Sequence, residues 1–146
     1  MSAGGSFRFV EGATSDLAFT TSGRSLDEVF HAAADALLAA TVERPDAVRP
    51  VVARSLHMTD TDLELLLLRF LNELVYLRDA EGLVLRPTHV TCRADSGIEL
   101  DAELAGEPLD PVRHGLASDV KAATAHGLSV ARREDGGWHA SVTLDV

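Results

Sequence analysis

Two short stretches near the start of the chain alternate between apolar and polar positions. Residues 7–9 read Phe-Arg-Phe, and residues 17–21 repeat the alternation after a polar interruption at residues 11–16. Successive side chains of a strand point to opposite faces, so this spacing is typical of a strand with one buried face. The pattern therefore predicts two short strands joined by a polar loop.

Two longer segments carry apolar residues at the spacing of a helix. Ser25–Glu28 fits a capping box, in which a Ser hydroxyl and a Glu carboxylate satisfy free backbone N–H groups, and the pattern predicts a helix to about Ala40. Thr61–Glu64 fits a second capping box, before Leu63–Leu77, where 11 of 15 residues are Leu, Phe, Val or Tyr. A helix that buries only one face needs fewer apolar residues than these 11. We therefore expect the second helix to be covered on most sides, by sheet on one face and by another helix on the next.

The other apolar segments are short and are separated by glycine or proline, as strands are. They lie at residues 52–58, 83–85, 89–93, 98–104, 120–124, 128–133 and 138–146. This order of elements predicts an α+β fold, a single domain with two main helices packed against a largely antiparallel or mixed β-sheet. We expect the domain to span residues 6–146 and residues 1–5 to be disordered.

The charge balance narrows the functions that we expect of this domain. The 146 residues include 13 Lys and Arg against 23 Asp and Glu, a net charge of −10 at pH 7. Proteins that bind nucleic acid neutralise phosphates with clustered basic side chains, so this balance argues against direct RNA binding. The longest apolar stretch is interrupted by charges and is shorter than the roughly 20 residues of a membrane span. With no signal peptide evident, we expect a cytoplasmic protein without membrane contact.

Motifs that would identify an enzyme are missing from the sequence. It contains no Gly-rich dinucleotide or phosphate loop, no HExxH motif, no EF-hand loop and no nucleophile elbow. The six histidines do not fall at the short spacings that zinc sites favour, so each is interpreted as a surface or structural residue. The single cysteine, Cys92, lies in a predicted strand and is most simply a small buried apolar residue.

Two aspartates stand at unusual positions. Asp16 closes the polar loop immediately before a strand, and Asp145 stands at the end of the last strand. If that strand lies beside the loop, Asp16, Asp145 and the terminal carboxylate of Val146 could converge on one hard cation, because Ca²⁺ and Mg²⁺ prefer oxygen ligands. Alternatively, Asp16 makes local loop hydrogen bonds and Asp145 is solvated at a frayed end. From spacing alone, the second interpretation is the commoner situation.

The densest polar group in the C-terminal half comprises Arg113, His114, Lys121, Thr124 and His126. General acid–base catalysis would require these side chains to lie close together in space, which the spacing does not establish. A solvated sheet edge is the simpler interpretation of this group.

The chain also carries an ordered series of short motifs, none of which is diagnostic alone. They are Phe9-Val10, Ala13-Thr14-Ser15-Asp16, Gly23, Ser25 to Ala33, Asp62-Leu63-Glu64, Leu71 to Leu77, Gly106-Glu107-Pro108, Arg113-His114, Val120 to His126 and Trp138 to Val146. In this order and spacing, over essentially the whole chain, they resemble the archease family, small proteins that assist the RtcB-type tRNA-splicing and RNA-repair ligase.

The resemblance implies a metal site. Archeases bind a divalent cation, typically Ca²⁺, through the aspartate of a His-Thr-Ala-Asp motif, the penultimate aspartate and the carboxylate or carbonyl of the final residue. Carried over by motif, these ligands are Asp16, Asp145 and Val146. The family histidine is replaced by Ala13 in this chain. A function that needs an imidazole at that position is therefore put in question.

Arg113, His114 and Lys121 also match recurring positions of the family. From the resemblance, we expect these three residues to support the C-terminal strand and to hold its carboxylates in place.

The resemblance further implies assistance to an enzyme rather than independent catalysis. Archease-like proteins promote guanylylation of the ligase's active-site histidine and restore its multiple turnover, so GTP is expected to be met only through the ligase. The acidic balance fits docking onto a basic RNA-handling enzyme. Two alternatives stay open. One is a small metal-dependent phosphohydrolase that uses Asp16 and Asp145 as metal ligands, and the other is a general chaperone-like module.

Overall fold

Seven strands and two helices are present within residues 4–10 and 16–146, the part of the chain that the computed structural model describes. Residues 1–3, in the segment predicted to be disordered, and residues 11–15, in the predicted polar loop, lie outside it. A short 3-10 helix, Pro45–Ala47, follows the first helix. The main elements are β1 (Ser6–Val10), β2 (Asp16–Gly23), α1 (Leu26–Thr41), β3 (Val52–Asp60), α2 (Leu63–Glu81), β4 (Leu83–Arg93), β5 (Ile98–Pro108), β6 (Ala122–Arg132) and β7 (Trp138–Asp145).

The strands form two separate sheets. The larger has the order β1-β2-β7-β6 and the smaller has the order β3-β5-β4, and every pair of neighbours is antiparallel. The predicted α+β domain, with two helices and largely antiparallel strands, is confirmed. The sequence pattern did not show that the strands divide into two sheets, because alternation identifies a strand but not its partners.

Both helices pack against both sheets. α1 contacts β1 and β2 of the larger sheet and β4 of the smaller one, while α2 contacts β6 on one side and β3 and β4 on the other. Leu66, Leu67, Phe70 and Leu71 of α2 are fully buried, each contributing about 1.5–3 kcal/mol relative to exposure. The prediction that sheet and a second helix cover α2 is confirmed, although Leu65 and Tyr76 are 48% and 59% exposed, so one side of the helix faces solvent. Neither helix has the length and apolar character needed to cross a membrane.

The helix starts differ in detail from the two predicted capping boxes. Ser25 Oγ accepts the N–H of Glu28 as expected, but the Glu28 carboxylate accepts the N–H of Arg24, outside the box. At α2 the cap is Asp62 rather than Thr61, and its carboxylate accepts the N–H groups of residues 64 and 65. The Asp62 carboxylate is one residue closer to the helix than the Thr61 hydroxyl and accepts both N–H groups itself. The capping box that begins at Thr61 is therefore not formed.

Two predicted pairs of strands are single strands interrupted by irregular pairing. Residues 83–85 and 89–93 both belong to β4, whose register with β5 shifts between Pro87 and His89. Pro87 lacks an N–H but is tolerated at a bulge of an edge strand. Residues 120–124 and 128–133 likewise contribute to β6, whose register with β7 shifts between residues 124 and 129, where Gly127 has φ +66°. Glycine allows this bend without ending the strand.

Candidate functional site

Two aspartates face each other where β2 begins and β7 ends. Asp16 is the first residue of β2 and pairs directly with Asp145, the last residue of β7. The next pair joins Leu17 to Leu144, which is fully buried in the core. Because neighbouring residues of a strand point to opposite faces, Asp16 and Asp145 share the face that points away from the core. Asp145 is exposed and Asp16 is half-buried.

No basic side chain of the described residues balances the charges of this aspartate pair. Within residues 4–10 and 16–146, neither carboxylate takes part in an ion pair or a side-chain hydrogen bond. Directly opposed residues of an antiparallel pair have Cβ atoms about 4.5–5.5 Å apart, and like charges at that separation destabilise the sheet. A cation shared by the two carboxylates would relieve their repulsion.

A third segment of the chain reaches the same place. Ala122, at the start of β6, pairs with Asp145, and the backbone N–H of Lys121 donates to the Asp145 carbonyl at 2.7 Å. The side chain of Lys121 is exposed. Val146, the residue after Asp145, is half-buried and packs against the main core.

The donor set at this place suits a hard divalent cation. Asp16 and Asp145 supply carboxylates and Val146 supplies a carbonyl or carboxylate oxygen, so all the ligands are of the kind that Ca²⁺ and Mg²⁺ prefer. The last strand lies beside the start of β2, which is the arrangement that convergence of these residues requires. Metal binding by the three residues stays a prediction. Ala13 lies outside the described residues.

Two polar side chains of α2 hold the start of β6 beside this pair. Asn72 Nδ2 donates to the Ala123 carbonyl at 3.1 Å, and Asn72 Oδ1 accepts the Ala123 N–H at 2.8 Å. The Arg78 guanidinium donates to the Val120 carbonyl. β6 is an edge strand, so bonds of this kind satisfy backbone groups that another strand would otherwise pair. Sequence reasoning missed both roles, although a polar Asn72 inside the most apolar helix was a usable signal.

Arg113 and His114 belong to a buried network centred on Glu107. His114 is fully buried, and its Nε2 lies 2.9 Å from Glu107 Oε2. Its Nδ1 accepts the N–H of Asp110 at 2.9 Å, so the ring proton is on Nε2 and is donated to Glu107. Arg113 pairs with the other Glu107 oxygen at 2.5 Å, and the Arg49 N–H donates to Oε2 at 2.7 Å.

The network keeps Glu107 in its charged form. The hydrogen bond from the Arg113 guanidinium is the largest cause that lowers the pKa of Glu107, to about 2, and the Arg49 N–H and His114 act in the same direction. Burial acts against them by raising the pKa. The ion pair with Glu107 also raises the pKa of Arg113. Glu107 therefore fastens the end of β5 to the loop that follows it.

The three residues expected to support the C-terminal strand do not form one group. Arg113 and His114 lie in the loop after β5, where they bind Glu107, and Arg113 also donates to the carbonyl of Ala47 in the 3-10 helix. In the described part of the chain, only Lys121 of the three is hydrogen-bonded to Asp145. Any support from Arg113 and His114 has to pass through the segment that connects β5 to β6. Their supporting role stays a prediction.

Comparison with known protein families gives a match over nearly the whole chain. The model described as "Archease protein family (MTH1598/TM1083)" matches residues 7–146. Protein archease of Pyrococcus abyssi is 37% identical over 134 residues, which cover 91% of this chain and 94% of that protein. Protein archease of Thermococcus kodakarensis is 35% identical over the same length and the same shares of both chains.

Solved structures share the fold. The solution structure of Methanobacterium thermoautotrophicum protein 1598 has a TM-score of 0.81 and 30% sequence identity, covering 96% of this chain and 98% of that one. The crystal structure of a Thermotoga maritima archease, described as a "possible chaperone", has a TM-score of 0.63 over 95% of this chain and 97% of that one. At 19% identity, the second likeness shows the fold alone.

Proposed function

This chain belongs to the archease family, and from that premise we propose that it is a metal-binding accessory protein that activates an RtcB-type RNA ligase. It promotes guanylylation of the ligase and its multiple turnover in tRNA splicing or RNA repair. The accessory protein carries out no catalysis of its own and meets GTP only through the ligase.

The observation that carries the proposal is the pairing of Asp16 with Asp145 on the outer face of the larger sheet. These two carboxylates and an oxygen of Val146 would hold a divalent cation, with Ca²⁺ as the expected ion. A cation held there would have its remaining coordination positions open at the protein surface, where oxygen ligands from a partner could exchange with water. Lys121 and Asn72 position the site. The Lys121 N–H binds the Asp145 carbonyl, and Asn72 of α2 holds the start of β6 at Ala123.

Electrostatics supports a protein partner rather than RNA. The net charge of −10 favours association with a basic, RNA-handling enzyme and opposes binding to phosphates. The acidic pair at the ends of the two central strands adds to this effect, since neither carboxylate is paired with a basic side chain within the described residues.

The test is a turnover assay of the ligase with GTP and a divalent metal, in the presence of the wild-type protein, Asp16→Asn or Asp145→Asn. We expect stimulation by the wild type and little or none by either variant. Asp95→Asn is the matched control, because it removes one exposed carboxylate from a turn in the smaller sheet. Calcium titration of each protein alone reports whether the lost stimulation accompanies lost cation binding.

Stimulation by both aspartate variants at the wild-type level would contradict the proposed mechanism. Nucleotide hydrolysis by the protein alone, lost in the same variants, would replace it with the phosphohydrolase alternative. The other alternative is a chaperone-like function, and the Thermotoga maritima structure is itself described as that of a possible chaperone. Suppression of aggregation in unrelated client proteins, without an effect specific to the ligase, would favour that function.

A further inference from the structure

A second group of metal-binding side chains lies on the outer face of the smaller sheet. His57 of β3 pairs directly with Asp101 of β5, and Glu99 stands two residues from Asp101 on the same strand and the same face. The side chains of His57, Glu99 and Asp101 are 58%, 43% and 47% exposed, respectively. An incoming ion can therefore reach all three.

The distances within this cluster are close to those of a coordination sphere. His57 Nδ1 lies 2.7 Å from Asp101 Oδ1 and 4.0 Å from Glu99 Oε1, and all three ligand atoms lie within 4.8 Å of one another. Ligands bound tetrahedrally to Zn²⁺ at about 2.0–2.2 Å are separated by roughly 3.4 Å. The distance from His57 to Asp101 is shorter than that separation because the two groups are hydrogen-bonded, and the distance to Glu99 is longer. An ion at the cluster would replace this hydrogen bond, and the exposed side chains would rotate around it.

The backbone beneath the cluster is held on both sides. β5 is the central strand of the smaller sheet and pairs with β3 and with β4, so the Cα positions of Glu99 and Asp101 are fixed by two ladders. Sites built on strands keep their geometry better than sites on loops. On the β4 side, Arg93 forms an ion pair with Glu99 Oε1 at 3.3 Å. Arg93 thus orients Glu99 but also competes with any ion for its carboxylate.

We propose that His57, Glu99 and Asp101 form a binding site for a divalent transition-metal ion of the zinc type, with the remaining coordination positions open to solvent. An imidazole nitrogen with two carboxylates suits such ions, whereas the oxygen-only set of Asp16, Asp145 and Val146 suits Ca²⁺. The two sites lie in different sheets and differ in the cations that they select. This inference does not depend on activation of a ligase.

The test is a titration of the full chain with Zn²⁺ alone, in which isothermal titration calorimetry measures the binding. We expect His57→Gln and Asp101→Asn to weaken binding by at least about tenfold, because changes even to groups that only orient a ligand cost that much. His89→Gln is the matched control, since His89 is an exposed histidine of β4 that pairs with Glu103 of β5 and does not belong to the cluster. It should bind Zn²⁺ as the wild type does.

Two further variants test whether Zn²⁺ binds at this cluster and not at the aspartate pair of the larger sheet. Arg93→Gln should tighten binding, because it frees Glu99 from its ion pair. A protein carrying both Asp16→Asn and Asp145→Asn should keep Zn²⁺ binding at this cluster. The proposal is overturned if His57→Gln binds Zn²⁺ as tightly as the wild type, if His57→Gln and His89→Gln are equally weakened, or if only the double aspartate variant loses binding.

Discussion

Asp16 stands directly opposite Asp145 in the ladder between β2 and β7, although the two residues come from opposite ends of the chain. Within the described residues, neither side chain has a partner of opposite charge. Like charges at directly opposed positions destabilise a sheet, so the pair is unfavourable for the fold on its own. Local violations of this kind are expected at functional sites, where a ligand compensates for them.

Asp145→Asn should change stability in opposite directions with and without Ca²⁺. In a chelator, the variant should be more stable than the wild type by about 0.2–1 kcal/mol, because the repulsion with Asp16 is removed. With Ca²⁺ at a hundred times its dissociation constant, the wild type should gain about 2.7 kcal/mol and become the more stable protein. Urea denaturation under both conditions measures the two differences. If the wild type and Asp145→Asn keep the same order of stability in chelator and in Ca²⁺, the result counts against cation binding by this pair. Asp95→Asn is the control for the loss of a surface charge.

Asn72→Ala should destabilise the start of β6. The substitution removes both bonds to Ala123, whose backbone is buried, and leaving these groups unsatisfied costs about 1–3 kcal/mol. Asn72→Asp should be destabilising as well, because a carboxylate accepts the Ala123 N–H but cannot donate to its carbonyl. Hydrogen exchange of the Ala123 amide, together with urea denaturation, measures the effect. Glu73→Ala, at the neighbouring position, should stay within about 0.5 kcal/mol of the wild type.

The periodic elements of the fold could be predicted because one physical rule determines each of them. Leu63–Leu77 is too apolar for a single buried face, and the structure covers α2 from both sheets. The interruptions in β4 and β6 could not be predicted in the same way. Pro87 and Gly127 usually end a strand, but here the pairing with β5 and β7 continues beyond them and overrides the local preference.

The candidate site residues could not be brought together from the sequence alone, because their proximity depends on pairing between distant parts of the chain. Spacing alone left Asp16 and Asp145 with two interpretations, and the ladder between β2 and β7 decides that they face each other. The buried role of His114 was not predicted, because it requires the loop after β5 to fold back onto Glu107. His57 and Asp101 likewise meet only through the register of β3 with β5.

Cys92 should be almost inert towards alkylating reagents in the folded protein. Burial, assisted by the negative charge of Asp27, raises the pKa of the Cys92 thiol from 9.0 to about 12. At mildly alkaline pH this lowers the thiolate fraction by about a thousandfold, and the thiolate is the reactive form. Mass spectrometry after iodoacetamide treatment should show slow labelling in buffer and fast labelling in urea, with no label on Cys92→Ser. Rapid labelling of the folded protein would contradict the buried position.

Glu107→Gln should make stability less dependent on pH in the acid range. The folded protein holds the pKa of Glu107 at about 2, below the ordinary value of 4.5, so its charge stabilises the fold above pH 4.5. That stabilisation is lost as the pH falls from about 4.5 towards 2, because the folded state must then take up a proton that the unfolded state already holds. Glu107→Gln should therefore have a lower urea midpoint than the wild type at pH 7, and the difference should narrow steadily below pH 4.5.

Glu134→Gln, which alters an exposed carboxylate in the turn before β7, should leave the pH profile of the wild type unchanged. A constant difference between Glu107→Gln and the wild type from pH 7 to pH 3 would show that the charge of Glu107 does not stabilise the end of β5.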